Sequence, residues 1–308
     1  MSTGSAKVAA TRPDAVGGAL VALAALCFGS VVVLGKHELE GGITVYSLLA
    51  IRFGVAAVVL FALLVALRRS LAAAVGERAG LAVLAVCGYA VEATLFFLAL
   101  EHGTAAAVTL LFFIYPVVVT LMSWAVGGGR PGRLTLLALV CAVSGAAVVV
   151  ATGTGLSIQA RGVVAALGAA TTYSAYLVGT DRVLRRTSPL TSAMWVSAGA
   201  SLGLFAFAAL TGNGSLPDGW GEWWPVIAMG LATAAAFVCL LEGIRRIGAI
   251  RTAIVSAMEP LAAAALAVVF LGESVTGGIA LGGALILVGA VAASLARVAT
   301  VQEQQQVP

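Results

Sequence analysis

The chain has 308 residues, of which 61% are apolar and only 10% are charged, and its formal net charge is +4. So few polar residues cannot cover the surface of a water-soluble protein of this length, which excludes a soluble globular domain. Most of the chain is therefore expected to be surrounded by lipid.

Ten apolar runs follow one another along the sequence. A hydrocarbon core about 30 Å thick needs roughly 20 apolar residues for each helical crossing. The runs do not alternate as the strands of a barrel would, so each predicts a helix, whose backbone groups are satisfied within the segment. The predicted spans are 15–35, 44–67, 79–100, 104–126, 133–152, 161–180, 189–211, 222–243, 248–271 and 276–297.

Basic residues are distributed unevenly between the two sides of these spans. If the N-terminus is cytoplasmic, the outer segments carry only Lys36 and Arg161. This positive-inside bias predicts a multi-pass protein of the cell membrane, the inner or plasma membrane, with both termini cytoplasmic. The net charge then reflects membrane orientation, and no nucleic-acid partner is expected. The inner segments carry Lys7, Arg12, Arg68, Arg69, Arg78, Arg130, Arg133, Arg182, Arg185, Arg186, Arg245, Arg246, Arg251 and Arg297.

The cysteines and histidines indicate no metal site, no cofactor and no disulfide framework. The four cysteines all lie inside spans, without the close pairing of a metal or redox motif. His37 and His102 lie at span ends, and neither has a second ligand within helical reach. A Walker-type nucleotide-binding motif is also missing from the sequence, so this polypeptide is not expected to use ATP by itself.

Residues recur along the chain at a constant offset, for example 260 − 116 = 144 for two prolines. Each half then has five spans, and an odd number makes the second half enter the membrane from the opposite side. The sequence thus predicts an all-α integral membrane protein of ten transmembrane helices, arranged as two inverted five-helix repeats. Many alternating-access carriers are built in this way. The matching pairs are Gly18 and Gly162, Leu23 and Leu167, Ser30 and Ser174, Gly35 and Gly179, Phe61 and Phe205, Ala105 and Ala249, Pro116 and Pro260, and Gly145 and Gly289.

The repeat and the tails give a division of the chain. Residues 1–14 are a cytoplasmic N-terminal tail, 15–152 the first repeat with spans 1–5, 161–297 the second repeat with spans 6–10, and 298–308 a cytoplasmic C-terminal tail. The spacings Gly199/Gly203 and Gly278/Gly282 predict close helix packing, either within one subunit or between subunits. A monomer and a homodimer both remain compatible with the sequence.

Several stretches resemble a known family. The string MEPLAAAALAVVFLGE from Met258 and the following GGALILVGA look like the end of the second repeat of EamA-type carriers of the drug/metabolite transporter superfamily. Arg52 in the second span and GTAAAVTLLFFIYP, leading into the fourth, are similar to the first repeat of that family. The resemblance implies a ten-helix secondary carrier of small metabolites, usually an exporter. One departure is Gly127-Gly128-Gly129 where the family often has Leu-Gly-Glu, so Glu273 has no first-half counterpart.

Ionisable residues inside spans are the candidate transport residues, because such groups cost about 2.5–3.5 kcal/mol on insertion scales and usually face a cavity or a partner. Four stand out: Arg52, Glu92, Glu242 and Glu259. Glu242 is set aside, because its spacing from Arg245 and Arg246 predicts an ion pair on one helix. Arg52 is expected to neutralise Glu92 or Glu259, or to receive a solute carboxylate, and the sequence does not choose between these.

Glu259 belongs to the most polar face of the ninth span. Thr252, Ser256 and Glu259 have the i, i+4, i+7 spacing of one helical face. Pro260 cannot donate to the carbonyl of Ser256, so a helix break is predicted there, and Pro116 predicts a corresponding break in the first half. A pathway residue and a kinked helix with a merely hydrogen-bonded Glu are both compatible with this pattern.

Aromatic and hydroxyl side chains supply the remaining candidate residues. Tyr89 and Phe96 share a helical face with Glu92 on the third span, and Tyr115 precedes the first-half proline. Thr172 and Tyr176 belong to a polar stretch of the sixth span. Rings at helical spacing fit ordinary packing as well as a solute-lining surface, and both interpretations remain open.

These observations predict a secondary transporter that exports a small metabolite, with an amino acid or a related compound favoured. A carboxyl that alternates between an apolar and an ionic setting can carry a proton, so Glu259, and secondarily Glu92, is the hypothetical coupling residue. The alternatives are a gradient-independent uniporter or exchanger and a multidrug exporter. Outside the carriers, they are a passive channel and a membrane-embedded enzyme, for which no catalytic group pairing is evident. The expected partners are the solute, protons and the lipid bilayer.

Overall fold

The computed structural model describes residues 15–127, 132–152, 158–217 and 219–305. Within these ranges the regular structure is all helical, apart from an isolated bridge between Gly103 and Ile158. The prediction of an all-α, multi-pass membrane protein is confirmed. Seven helical segments are long and apolar enough to cross a membrane: Ala15–Glu40, Val45–Ala66, Val75–Glu101, Ala105–Met122, Ala160–Thr180, Pro189–Thr211 and Trp223–Ile247. Three shorter apolar helices, Leu136–Val149, Met258–Leu271 and Gly277–Ala292, coincide with the remaining predicted spans.

The described part of the first half contains seven α-helices, because two of its spans are divided. They are α1 (Ala15–Glu40), α2 (Val45–Ala66), α3 (Arg78–Val83), α4 (Val91–Glu101), α5 (Ala105–Phe112), α6 (Tyr115–Gly127) and α7 (Arg133–Thr152). A π-helical segment, Leu84–Ala90, joins α3 to α4 within the third span. The Thr104 side chain caps α5 by accepting from the N–H of Ala107.

The described part of the second half contains five helices: α8 (Ala160–Val183), α9 (Pro189–Thr211), α10 (Trp220–Ser256), α11 (Met258–Leu271) and α12 (Gly277–Gln305). Ser188 caps α9 directly before Pro189, whose missing N–H costs nothing in a first turn. The left-handed residues Gly212 and Gly272 end α9 and α11, a conformation that glycine adopts without strain.

Helix boundaries recur at the offset found in the sequence. The α2 and α9 helices begin at Val45 and Pro189, which differ by 189 − 45 = 144 residues, and α7 and α12 begin at 133 and 277, again 144 apart. The ends of α5 and α10, Phe112 and Ser256, have the same separation. The offset thus describes where helices start and stop as well as which residues match.

The eighth and ninth predicted spans are not separated by a loop, which corrects the boundaries at 243 and 248. One helix, α10, covers the junction, and Glu242 pairs with Arg245 at 2.6 Å and Arg246 at 2.7 Å along it. These pairs stabilise helical structure where a break was expected. Phe237 and Glu259 nevertheless line the same cavity, although 22 residues would span about 33 Å of straight helix. The helical path between them is therefore not straight.

Helices of the two halves pack against each other in matching pairs. The α1 helix lies along α10 and α11, and α8 lies along α4 and α6, the corresponding elements of the other half. The α2 helix packs on α9 and α7 packs on α12, so each contacts its own counterpart. The two halves therefore form one body, with the first-half helices completing the packing of the second.

Glycines bring α7 and α12 into backbone contact. A Cβ atom on Gly145 would lie 2.5 Å from the carbonyl oxygen of Gly282, and one on Gly289 would lie 2.7 Å from the carbonyl oxygen of Ala138. The two contacts are equivalent under the offset of 144, since it relates Gly145 to Gly289 and Ala138 to Gly282. The close helix packing predicted from the Gly278/Gly282 spacing therefore occurs, at Gly282, within one chain.

We expect Gly145→Ala to destabilise the protein by about 1–3 kcal/mol, because a backbone carbonyl cannot move aside for the added methyl group. Gly18→Ala is the matched control, since a Cβ there meets no atom within 4 Å and alanine favours the helix. Thermal denaturation of the detergent-purified variants measures the difference. Equal melting temperatures for the two variants would contradict the proposed contact.

Candidate functional site

A cavity of about 100 Å³ lies between the two halves of the protein. Its walls come from α1, α2, the third span, the α5–α6 junction, α8, α10 and α11. Six of the residues selected from the sequence meet there, namely Arg52, Tyr89, Glu92, Phe96, Tyr115 and Glu259. The other lining residues are Phe28, Val31, Val32, Ala93, Phe97, Phe112, Tyr173, Phe237 and Leu240.

Two helix interruptions border this cavity, each just before a proline. The α10 helix ends at Ser256, and α11 starts at Met258 with Pro260 in its first turn. In the first half, α5 ends at Phe112, and α6 starts at Tyr115. The breaks therefore precede Pro116 and Pro260, where proline is tolerated because first-turn N–H groups have no partner in the helix.

The position of this break corrects the predicted polar face. Thr252 and Ser256 lie on α10 and Glu259 on α11, so no single helix presents all three. Among the side chains that the structure describes, the cavity lining does not include Thr252 or Ser256. The i, i+7 spacing did not reveal this, because the helix ends between the two positions.

Arg52 is the buried cation of the cavity. Its side chain is 6% exposed, and its Nε–H donates to Oγ1 of Thr233 at 2.9 Å. The Thr233 hydroxyl in turn donates to the carbonyl of Met229 at 2.8 Å, which fixes the direction of the oxygen lone pair. The guanidinium carbon lies 4.8 Å from the ring centroid of Phe53 and 5.5 Å from that of Phe97, within the range of cation–π attraction.

Glu92 and Glu259 supply two carboxyl groups opposite this one cation. Glu92 is 7% exposed and Glu259 is partly buried, and both line the cavity with Arg52. In the described part of the chain, neither carboxylate has an ion pair within 4.0 Å. Arg52 is thus held by Thr233 and aromatic rings instead of by a direct salt bridge, and the carboxyl groups can interact with a proton or a solute cation.

Aromatic rings form a continuous wall around these charges. Tyr89 contacts Tyr176 with ring centroids 5.3 Å apart, and Tyr115 contacts Tyr173 at 4.9 Å. Phe112 lies 5.4 Å from Tyr173, which connects the first-half break to α8. Phe112 and Tyr173 were not among the site residues selected from the sequence. Phe112 could have been found because it lies close to Pro116, and Tyr173 because it belongs to the polar stretch of the sixth span.

Two predicted residues of α8, Tyr176 and Thr172, lie outside the described cavity lining. Tyr176 packs on Tyr89 and against the bare face of Gly88, where a Cβ would lie 3.1 Å from the ring. The hydroxyl of Thr172 donates to the carbonyl of Gly168 at 2.9 Å, within its own helix. Neither belongs to the described lining of the cavity. Tyr176 thus supports the ring of Tyr89, while Thr172 has a local partner.

The π-helical segment lies beside the cavity in the third span. It covers Leu84–Ala90 and therefore ends two residues before Glu92, with Tyr89 inside it. Such wide turns inside α-helices are frequently found at functional sites. Here the segment brings Tyr89 into contact with both Phe53 and Tyr176.

An all-helical membrane protein with a small charged cavity between two packed halves has the features of a solute transporter. The chain belongs to the EamA-like transporter family, whose sequence model matches residues 15–151 and 160–295. The resemblance noted in the sequence is thereby confirmed. The protein is accordingly a membrane transporter, and the family gives no indication of an enzyme.

Two relatives agree with this assignment, and a solved structure agrees with the fold. The chain is 30% identical to the uncharacterized transporter YwfM of Bacillus subtilis over 69% of its own length and 72% of that protein. It is 28% identical to the uncharacterized inner membrane transporter YicL of Salmonella typhimurium, over 70% and 72% respectively. A crystal structure with 24% identity aligns over 90% of this chain and 96% of the chain in that structure, with a TM-score of 0.63. It therefore has the same fold.

We expect Thr233→Val to lower the stability of the protein by about 1–3 kcal/mol, because the Arg52 Nε–H loses its acceptor in a buried site. Thr233→Ser retains the hydroxyl and should stay close to wild type. Thr171→Val is the control, since the exposed Thr171 hydroxyl also bonds a carbonyl four residues earlier, at 2.8 Å, without contacting a charge. Thermal denaturation of the wild type and the three variants measures the effect. Equal melting temperatures for Thr233→Val and Thr171→Val would refute the role of Thr233.

Proposed function

We propose that the protein is a secondary carrier that exports a small metabolite by alternating access. The observation that carries this proposal is the cavity, which gathers Arg52 and Glu92 from the first half and Glu259 from the second. Sites for drug-sized ligands occupy roughly 300–1,000 Å³, whereas this cavity has about 100 Å³. A small solute fits this volume better than the bulky substrates of a multidrug exporter.

The charges in the cavity favour a solute that carries both signs. A carboxylate can bind the guanidinium of Arg52, and an ammonium group can bind Glu259 or Glu92, as in an amino acid or a related compound. The aromatic wall provides apolar surface and ring faces for the rest of the solute. Recognition of this kind needs no metal and no cofactor.

The arrangement of the halves supports the alternating-access part of the proposal. The family model matches two ranges of similar length, 15–151 and 160–295, and helix ends recur at an offset of 144 residues. Five spans in each half would give the halves opposite orientations, as in inverted-repeat carriers. We further propose that 15–152 and 161–297 are these repeats, with the tails 1–14 and 298–308 cytoplasmic.

The membrane and the orientation are proposed from the charges of the loops. The excess of Lys and Arg in the inner segments places both termini in the cytoplasm. The name of the Salmonella relative, an inner membrane transporter, supports the inner or plasma membrane as the location. Loops 101–104 and 271–277 then face outward, and loop 67–77 faces the cytoplasm.

Proton coupling is the proposed energy source. Glu259 and Glu92 share one cation and have no ion pair within 4.0 Å in the described chain, so each carboxyl can exchange a proton for a solute cation. Arg52 compensates one negative charge, and protonation or solute binding compensates the second. This exchange would couple inward proton movement to export of the solute.

A screen for export identifies the solute. Cells expressing the protein are tested for resistance and efflux across amino acids, nucleobases and cationic dyes, with cells carrying the empty vector as the control. We expect increased efflux of an amino acid or a related small compound. Efflux restricted to the dyes would contradict the small-metabolite assignment, and single-channel currents would contradict a carrier.

Glu259→Gln should abolish accumulation driven by a pH gradient in proteoliposomes containing the solute from that screen. The amide keeps the shape of the side chain but cannot release a proton. Glu101→Gln is the control, because Glu101 is an exposed acid at the end of α4. Full gradient-driven transport by Glu259→Gln would rule out its coupling role. Transport by wild type that ignores the pH gradient would instead indicate a uniporter or exchanger.

A further inference from the structure

The carboxylate of Glu273 connects the two halves far from the cavity. Its Oε1 accepts from the N–H of Ala105 at 2.7 Å, and its Oε2 accepts from the N–H of Ala106 at 3.3 Å. These are the first two N–H groups of α5, which have no partner inside their helix. The negative charge also lies at the positive end of the helix dipole. Glu273 therefore caps α5 from the opposite half of the chain.

A tight turn at the end of α11 holds Glu273 in this position. Gly272 has a φ of +66°, and the N–H of Glu273 donates to the carbonyl of Ala267 at 3.2 Å. Glycine accepts this left-handed conformation without strain, which ends the helix and turns the chain. The Glu273 carboxylate is therefore carried rigidly by α11.

Both helices joined by this contact lead to the cavity. Glu259 lies at the start of α11 and Glu273 just beyond its end, 14 residues or about 21 Å further along. The α5 helix begins at the capped residue Ala105 and ends at Phe112, which lines the cavity. The two helices also pack on each other. A change of angle between α5 and α11 at the cavity therefore moves their outer ends apart.

A different acidic contact lies at the opposite face. Glu77 lies at the start of the third span, Val75–Glu101, and Ala105 follows its end, so the two contacts lie at opposite ends of that span. The Glu77 carboxylate accepts from the N–H groups of Arg185, Arg186 and Thr187 at 2.7–2.9 Å and from the Thr187 hydroxyl at 2.6 Å. It is buried, and four hydrogen bonds must be lost together to separate it from the α8–α9 loop.

Neither acid is duplicated by the repeat. The offset of 144 places Gly129 opposite Glu273 and Gly221 opposite Glu77. Gly221 lines a cavity of about 370 Å³ with Gly41 and Ile43, on the face where Glu273 lies. The equivalent space at the other face is occupied by the Glu77 carboxylate and its partners. The two faces of the protein thus carry unlike acidic contacts.

We propose that Glu273 is a releasable latch for one face of the carrier. Its carboxylate holds α5 against α11 while the cavity is closed to that face, and it separates from Ala105 and Ala106 each time that face opens. It is the weaker of the two acidic contacts, because it makes two hydrogen bonds, is partly exposed and can exchange both bonds for water. The inference rests on the proposed alternating-access function.

The test measures access to the cavity from each face and needs no identified solute. Ala93, a small lining residue, is replaced by Cys in a background whose four native cysteines are changed to Ala. A membrane-impermeant maleimide is then applied to oriented vesicles from one side or the other. We expect Glu273→Gln to raise the labelling rate about tenfold from the face that carries Glu273, and to lower it from the other face, because the open state gains population.

Matched variants separate a latch from a merely structural cap. Glu101→Gln removes a carboxylate three residues before Thr104 on the same face and should leave both rates unchanged. Glu273→Asp keeps the charge but shortens the reach, so it should shift both rates in the same directions by a smaller factor. Loss of a structural cap alone would change the two rates in parallel.

The outcomes also distinguish this inference from the proposed function. If the Ala93→Cys protein is labelled from both faces, and neither Glu273→Gln nor Glu273→Asp changes the two rates, the latch is overturned but alternating access is not. Labelling from a single face in every variant would overturn alternating access itself. Opposite changes at the two faces, with faster hydrogen exchange at the amides of Ala105 and Ala106, would establish the latch.

Discussion

A charged side chain stays inside a hydrocarbon layer only where other protein groups or water surround it. On insertion scales such a group costs about 2.5–3.5 kcal/mol at the centre of a helix, and here Arg52, Glu92 and Glu259 impose this cost three times. The protein offsets it by directing all three toward one cavity and by holding Arg52 with Thr233 and two phenylalanine rings. The packing of the helices follows from the need to keep these groups away from lipid.

The interrupted helices serve the same requirement. Non-helical backbone at membrane depth is tolerated where it is buried in protein or lines a cavity. The gaps after Phe112 and Ser256 lie at the cavity, and each is followed by a proline in the first turn of the next helix. Close backbone packing of α7 on α12 leaves the interface at Gly145 and Gly289 without room for adjustment. Motion is therefore more easily accommodated at the helix breaks than at this interface.

The sequence predicted the features that depend on composition and spacing. Long apolar runs indicated the spans. The rule that buried ions face a cavity selected Arg52, Glu92 and Glu259, and all three line the same cavity. It did not place Thr252 and Ser256, because the helical face was extended across the break that Pro260 itself predicts. Phe112 and Tyr173 were missed, since a ring in a span looks the same whether it faces lipid, a neighbour or a solute.

Contacts between distant parts of the chain were also beyond the sequence. Glu273 meets residues 167 and 168 positions away, and Glu77 meets residues 108 to 110 positions away. No local pattern encodes such pairings, although the departure from Leu-Gly-Glu at Gly127–Gly129 showed that the acid was unique to one half. The continuation of α10 beyond residue 243 was not predicted either, because the ion pairs of Glu242 with Arg245 and Arg246, although expected from their spacing, were placed at the end of a span.

The wide helical segment at Leu84–Ala90 makes the two halves unequal in energy as well as in sequence. In a carrier with two identical inverted halves, symmetry would make the outward-open and inward-open states equally stable. The corresponding stretch of α10, residues 228–234, is regular α-helix, so exchanging the conformations of the halves does not reproduce the same structure. Under the proposed alternating access, the two states therefore differ in energy before any gradient acts on the protein.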